Sequence, residues 1–459
     1  MKLGKGVYFR QYGEITYLRH VGQRRDYILG GIANDFLEFV RSHPGCSVDE
    51  LSAALAREYE LDDLEEFVHD MSSFERELTE LCILDDPMVA KVEEPVIDQV
   101  RNMALAEGKL YSATLEITYL CNENCIHCYA DSDIDLSKEL TLAEYRNLLD
   151  QLWELGCMEI LFTGGEVTLR KDFLDIIAYA TQKGFVVDVY TNGLALKQEH
   201  IRRLAELCVN SVSFSVYGPD TQTHDEITGV PGSFDQTLKN MLLCKCAGLD
   251  TYAKTVVMNQ NYDGLEDLLR LGQLAGISIN TSMVVTASHK GRPADRFRLM
   301  DPEKYKTVTE LSMKYNISGD ASPCPDGHEI GLCGAGSFSL SVDPYGNVMP
   351  CNAIHQSMGN IRQKSLREIR DDAPLLHTLS ELRFEQVCPS EGNCKHARWC
   401  AMCLGSAYSE KQNWKPTPDI CMIARGVHSA NLNMTVCRLE ESHSAGRDEQ
   451  DVRKEVIQS

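Results

Sequence analysis

The sequence predicts an α/β protein. Its centre would be a parallel sheet of six β–α units, open or curled into a partial (β/α)6 barrel, with a winged-helix-like unit before it and a cysteine-rich region after it. Three observations predict this. Strand-length apolar runs alternate with amphipathic helical patterns across residues 111–320. Three short β-type runs and then three helical patterns precede them. Beyond them, periodic segments give way to Cys, Gly and Pro. A chain of 459 residues is too long for one ordinary core, so several domains agree with its length.

The first unit spans residues 1–87. Its β-type runs lie at Val7–Arg10, Ile15–Leu18 and Tyr27–Leu29. Ile32, Phe36, Phe39 and Val40 then share one helical face. Ser47 caps a second helix, with Glu50 at the capping-box position and Leu51, Leu55 and Tyr59 inward. A third carries Leu64, Phe67, Val68, Met71, Phe74, Leu78 and Leu81. Residues 88–110 read as a charged linker, partly helical.

Strands are expected at 112–118, 159–163, 186–191, 211–216, 252–257 and 278–285, with helices such as 142–155 and 172–183 between them. Residues 321–437 hold little apolar core, a composition usually tied together by metal. The tail, 438–459, is polar and reads as frayed.

The net charge is −23, which repels phosphate backbones and anionic lipid, so neither nucleic acid nor membrane is an expected partner. No segment reads as a signal peptide or membrane span, and a cytoplasmic location is expected. Eighteen cysteines in a reducing compartment point to metal or cluster ligation rather than disulfides. They are uneven: three sit at 121–128 and nine between Cys324 and Cys437.

Cys121, Cys125 and Cys128 have the spacing C-x3-C-x2-C, directly after the first strand of the β–α series. Short spacers let one loop wrap three thiolates around a cubane cluster, leaving one iron open to another molecule. A zinc knuckle that adds His127 is the plainer alternative, but a ligand wedged between two cysteines would be cramped. Tyr129 follows the third cysteine, and Thr163-Gly164-Gly165-Glu166, Thr191-Asn192-Gly193 and Ser213-Phe214-Ser215 end successive strands. That edge is where α/β folds bind ligands. Together these residues resemble the radical S-adenosylmethionine (SAM) superfamily over roughly 112–290.

The resemblance implies an enzyme whose Cys121, Cys125 and Cys128 hold a catalytic 4Fe–4S cluster. It places Tyr129, Gly164, Gly165, Glu166, Asn192 and Ser215 around SAM, with Glu166 meeting the amino group and Ser215 the carboxylate. Val167 stands where the family usually has proline. The segment His224-Asp225, Thr228-Gly229 and Gly232-Ser233-Phe234 matches the family's next loop.

The later cysteines resemble the SPASM extension of peptide-modifying members, though with different loop lengths. Carried over by order, Cys324, Cys333, Cys351 and Cys403 would hold one auxiliary 4Fe–4S cluster, and Cys388, Cys394, Cys400 and Cys421 another. That makes three clusters in all. Cys437 is left over, and a zinc ribbon is the plainer alternative. Cys46, Cys82, Cys157, Cys208, Cys244 and Cys246 read as small buried side chains.

The first unit resembles the PqqD-like recognition domain of peptide maturases, in which an edge strand near Tyr27–Leu29 takes an extended leader peptide. A DNA-binding reading conflicts with its acidic helices. The implied function is a radical SAM maturase of a ribosomally made precursor peptide, forming a thioether from a cysteine to another residue. Carbon–carbon cyclophane formation, epimerisation and formylglycine formation in sulfatases are the alternatives. A flavodoxin or ferredoxin is the implied electron donor. Deleting residues 1–87 is expected to abolish peptide modification and spare uncoupled SAM cleavage.

Overall fold

The computed structural model describes residues 1–59, 61, 64–81, 83–84, 97–131, 133–315, 333–388, 390, 394–400 and 402–444, the side chains of 64–66, 97–99, 102 and 433–444 excepted.

The chain opens with β1 (Val7–Tyr12), β2 (Ile15–His20) and β3 (Arg25–Gly30), an antiparallel meander in that order. Helices α1 (Ala33–Ser42), α2 (Val48–Glu58) and α3 (Leu64–Glu80) follow. The Ser47–Glu50 capping box forms: Ser47 Oγ accepts from the Glu50 N–H at 3.1 Å, and Glu50 Oε2 from the Ser47 N–H at 2.9 Å.

Strand alternation gives this small sheet two apolar faces. Phe9 and Leu18 point to one side, where they pack with Phe36, Leu37, Val40, Leu51, Leu55, Met71 and Leu78 of the helices. Tyr8, Tyr12 and Tyr17 point to the other and pack with Val100, Ala104, Tyr111, Met158 and Val186. Val100 and Ala104 belong to α4 (Ile97–Ala106). Part of the expected 88–110 linker is therefore a helix buried at a contact, while residues 88–96 lie outside the described residues.

The β–α series comes next: β4 (Ser112–Glu116), α5 (Leu142–Glu154), β5 (Glu159–Thr163), α6 (Phe173–Lys183), β6 (Val186–Thr191), α7 (Gln198–Glu206), β7 (Ser211–Ser215), α8 (Thr221–Thr228), α9 (Ser233–Cys246), β8 (Thr251–Val256), α10 (Leu265–Ala275), β9 (Ser278–Ser282) and α11 (Pro302–Lys314). Strands β4 to β9 lie side by side in sequence order, all parallel. Ala113, Leu115, Ile160, Phe162, Val187, Val189, Val212, Phe214, Ala253 and Ile279 pack with the helices in one large core. The alternate positions carry Glu116, Asp188, Tyr190, Ser213, Ser215 and Lys254, so the sheet's second face is polar.

The cysteine-rich region does not stand apart. Its strands β10 (Ser339–Val342), β11 (Asn347–Met349) and β12 (Gly359–Asn360) join the same sheet, in the order β12-β11-β10-β4-β5-β6-β7-β8-β9. Helices α12 (Leu366–Asp371), α13 (Pro374–Glu381), α14 (Phe384–Val387) and α15 (Leu404–Lys411) follow. Here the sequence reading misses a long element. Helix α16 runs from Pro418 to Ser444, through the expected boundary at 437 and into the supposed tail. Its Ile420, Ile423 and Val427 pack in the large core with Tyr305 and Val308 of α11.

The three-stranded sheet meets the N-terminal end of the parallel strands. Tyr8 Oη donates to the Cys208 carbonyl (3.2 Å), Tyr12 Oη to that of Gly156 (3.2 Å) and Arg10 Nη2 to that of Cys157 (3.2 Å). Arg19 grips Asp26 through two nitrogens (2.7 and 3.1 Å) and reaches Glu159 Oε1 with a third (2.7 Å). Tyr111 Oη donates to the same Glu159 oxygen at 2.9 Å. The first unit is a floor beneath the parallel strands, opposite the edge that carries the cysteine loop.

Candidate active site

The cysteine loop leaves β4 and is held from both sides. On one side the end of α8 receives it: the Asn124 N–H donates to the Thr228 carbonyl (2.9 Å) and the Ile126 N–H to that of Ile227 (3.0 Å). Asp225 secures that support by accepting from Ser233 Oγ (2.8 Å) and the Phe234 N–H (2.9 Å). On the other side the Gly165 N–H donates to the Thr118 carbonyl (2.7 Å) and the Glu166 N–H to that of Leu120 (2.8 Å). A Cβ at Gly164 would sit 2.3 Å from Thr118 O, and one at Gly165 would sit 2.4 Å from Leu120 O. The glycine pair thus lets two stretches of backbone approach, and the nearer one leads to Cys121.

Glu166 also ties neighbouring strand ends together. It is fully buried. Its Oε1 accepts from Thr168 N–H (3.0 Å), Thr168 Oγ1 (2.5 Å) and Thr191 Oγ1 (2.7 Å), and its Oε2 from the Asn192 N–H (2.7 Å). Three of these donors meet Oε1 and one meets Oε2, which leaves a lone-pair position on Oε2 open. In this arrangement Glu166 braces the ends of β5 and β6.

Asn192 does reach the loop. Its Nδ2 donates to Asn122 Oδ1 at 2.8 Å and lies 3.9 Å from Cys121 Sγ. Ser215 is half-buried at the end of β7, on the polar face, in register with Lys254 of β8. Lys254 Nζ lies over the Tyr190 ring, 4.7 Å from its centre. Sequence reasoning missed this cation. The signal was there in Thr251-Tyr-Ala-Lys254, where period two sets the lysine opposite buried Ala253.

Tyr129 is tied in two directions. Its phenol donates to Glu116 Oε1 (3.1 Å) and accepts from Asn352 Nδ2 (3.1 Å). Tyr119 donates to the other Glu116 oxygen at 3.0 Å. Glu116 is fully buried, and that burial pushes its carboxyl up to about 7 despite the two phenols. A charged residue inside the apolar run Thr114-Leu-Glu116-Ile was the signal for it. His127 turns edge-on to Tyr217, with ring centres 4.6 Å apart.

The second cysteine set gathers in two places. Burial and then Cys333, with Cys403 also nearby, push the Cys351 thiol up to about 12. Cys403 caps α15, its Sγ accepting from the Ser406 N–H at 3.3 Å. Elsewhere, burial and then Cys388 and Cys394 raise the Cys421 thiol. Cys400 ends the short turn after Cys394 and is half-buried. Cys324 and Cys82 lie outside the described residues. Of the scattered cysteines, Cys46, Cys157 and Cys244 are buried as expected, whereas Cys208 is partly open and Cys246 exposed.

Thiols are the donors that iron–sulfur clusters take; among the described residues, no three of the Cys, His, Asp and Glu side chains converge closely enough to hold a single metal ion. The Cys125 thiol is pushed far up by burial and by Glu123, Cys128 and Cys121. Thiols crowded in this way ionise once a cation sits among them.

Residues 115–272 match the family model of the radical SAM superfamily, and residues 333–404 that of SPASM, an iron–sulfur cluster-binding domain. The chain is a radical SAM enzyme with a SPASM domain. SAM and 4Fe–4S clusters are its cofactors. The chain is 26% identical over 339 residues to an AdoMet-dependent heme synthase of Methanosarcina barkeri, covering 68% of this chain and 96% of that one. It is 27% identical over 343 residues to the mycofactocin maturase MftC of Mycolicibacterium smegmatis, covering 67% and 86%. The fold is similar to that of SuiB from Streptococcus suis, solved with its precursor peptide SuiA: TM-score 0.58, 16% identity, 91% of this chain and 98% of that one. Among the described residues, no helix is long and apolar enough to cross a membrane.

Proposed function

We propose that this radical SAM enzyme modifies a ribosomally synthesised precursor peptide, joining a cysteine sulfur to another residue by a thioether. The observation that carries this reading is the first unit. It presents β3 as an edge strand, paired only with β2 among the described residues. An extended leader peptide can add to such an edge through main-chain hydrogen bonds. The SuiB likeness supports it, because a match over 91% of this chain must take in part of that unit.

In this reading Cys121, Cys125 and Cys128 hold the SAM-binding cluster. Asn192 and the Gly164-Gly165 turn fix the loop that carries them. Ser215 and Lys254 supply a hydroxyl and a cation for the SAM carboxylate. Glu166 acts as a positioning residue. Tyr129 holds the loop to Glu116 and Asn352. Cys333, Cys351 and Cys403, with Cys324, form one auxiliary site, and Cys388, Cys394, Cys400 and Cys421 the other. When bound, SAM and the clusters supply a radical able to remove an unactivated hydrogen and a sink for one electron.

The heme synthase relatives favour a second reading, in which a porphyrin is the substrate. The deciding experiment is anaerobic reconstitution with iron and sulfide, then incubation with SAM, a reductant, a porphyrin and the peptide encoded beside the gene. A peptide lighter by two hydrogens, together with 5′-deoxyadenosine, supports maturation. An unchanged peptide with a consumed porphyrin refutes it.

A further inference from the structure

The chain is acidic overall, yet three exposed cations lie among the residues that carry Cys394, Cys400 and Cys421. Lys395, Arg398 and Arg425 are all exposed, and none has an ion-pair partner among the described residues. They form one patch. The His396 and His428 rings meet through their Nδ1 atoms at 2.8 Å, joining the 394–400 segment to α16. Lys395 adjoins His396 in the chain, and Arg425 stands one helical turn before His428 on α16. Trp399 stacks on His428 (ring centres 6.2 Å apart, planes 15° apart), and Arg398 lies 6.0 Å from the Trp399 ring centre. Cys394 begins this segment. Cys421 stands one helical turn before Arg425 on α16.

Exposed cations without carboxylate partners are not needed to hold the fold together, since surface charges contribute little to stability even when paired. They do change what the surface attracts. A chain of net charge −23 repels an acidic protein over most of its area. A cationic island on such a chain is where an acidic partner is steered. The expected leader edge, β3, lies on the other unit, at the floor of the strands, so the peptide does not need this patch.

We propose that Lys395, Arg398 and Arg425, around the His396–His428 pair, dock the acidic one-electron carrier protein that reduces this enzyme, beside the Cys388, Cys394, Cys400 and Cys421 group. The proposal rests on the cluster assigned above to those cysteines. On docking, the carrier loses one electron and the enzyme gains one; no atom is transferred.

The test uses the reconstituted holoenzyme, a reduced flavodoxin as the carrier, and dithionite as a small reductant that needs no docking. The variant Lys395→Glu/Arg398→Glu/Arg425→Glu is compared with wild type, and the Gln triple serves as a milder companion. Three readouts apply: flavodoxin oxidation in stopped flow, equilibrium binding of oxidised flavodoxin, and iron content with cluster spectra. Wild-type rate and affinity fall steeply as salt rises, as expected for a steered encounter. The Glu triple is expected to be at least about tenfold slower at low salt and nearly salt-independent. Dithionite-driven SAM cleavage, iron content and spectra stay unchanged. Equal flavodoxin rates in wild type and variant overturn the proposal. An equal loss with dithionite, or lost iron, also overturns it and assigns the cations to holding the cluster. No peptide enters the measurement, so a failed maturation reading leaves its outcome intact.

Discussion

Glu116 offers a direct test of how the site is built. Its carboxyl is buried at the end of β4 under two phenols, and burial lifts it from 4.5 to about 7. The folded state therefore binds this proton more tightly than the unfolded chain does. By linkage, the stabilisation is fully present below pH 4.5 and is lost as the pH rises through about 7. At ~1.36 kcal/mol per pK unit, the two values differ by ~3 kcal/mol. Glu116→Gln keeps the shape and has nothing to titrate. The assay is urea unfolding of the reduced apoprotein, followed by tryptophan fluorescence across this range. The wild type should lose ~3 kcal/mol relative to Glu116→Gln between those limits. Parallel stability curves for the two proteins would refute the claim that this carboxyl is held protonated by its surroundings.

Three further outcomes follow from packing. Gly165→Ala sets a Cβ 2.4 Å from Leu120 O, a backbone atom that cannot swing away; reconstitution should then yield about four fewer irons per chain, with the fold retained by circular dichroism. Arg298 is fully buried, with Nε 3.2 Å from Asp419 and Nη1 3.0 Å from Asp295; Arg298→Met leaves buried Asp419 uncompensated and should cost ~3–5 kcal/mol in urea unfolding, less with Arg298→Lys. Removing residues 1–87 strips the cover from Tyr111, Met158 and Val186, so the expectation from sequence that SAM cleavage is spared gives way to its opposite: the truncated chain should aggregate and cleave no SAM, and soluble protein that still releases 5′-deoxyadenosine would show that the floor is dispensable.

Much of the frame was legible because each parallel strand advertises itself locally. Val187-Asp188-Val189 and Val212-Ser213-Phe214 alternate core-facing and polar residues, and the structure ends each strand within a few residues of the expected place. The cysteine loop was legible because its spacing is short. Contacts between distant segments were not. Nothing in Tyr8, Arg10 and Tyr12 says that their face meets Gly156, Cys157 and Cys208 rather than solvent or a peptide. The side chain of Glu166 turns inward because Thr168, Thr191 and Asn192 supply four donors, two of them from another strand end. Helix α16 was readable in principle. Ile420, Ile423 and Val427 recur at helical spacing, but the surrounding cysteines drew the reading toward irregular structure.

The place of β10 beside β4 sets a timetable for biosynthesis. Strand β4 is the first of the parallel series to be made, and its free edge is covered only when β10 pairs with it, about 220 residues later. At roughly 5–20 residues per second, a ribosome needs ~10–45 s to deliver that cover. Through that interval the nascent chain exposes an unpaired edge next to the loop of Cys121, Cys125 and Cys128, the circumstance in which strands pair with the wrong neighbour. Production in the cell should therefore depend on chaperones and on slow translation more steeply than the finished molecule's stability suggests.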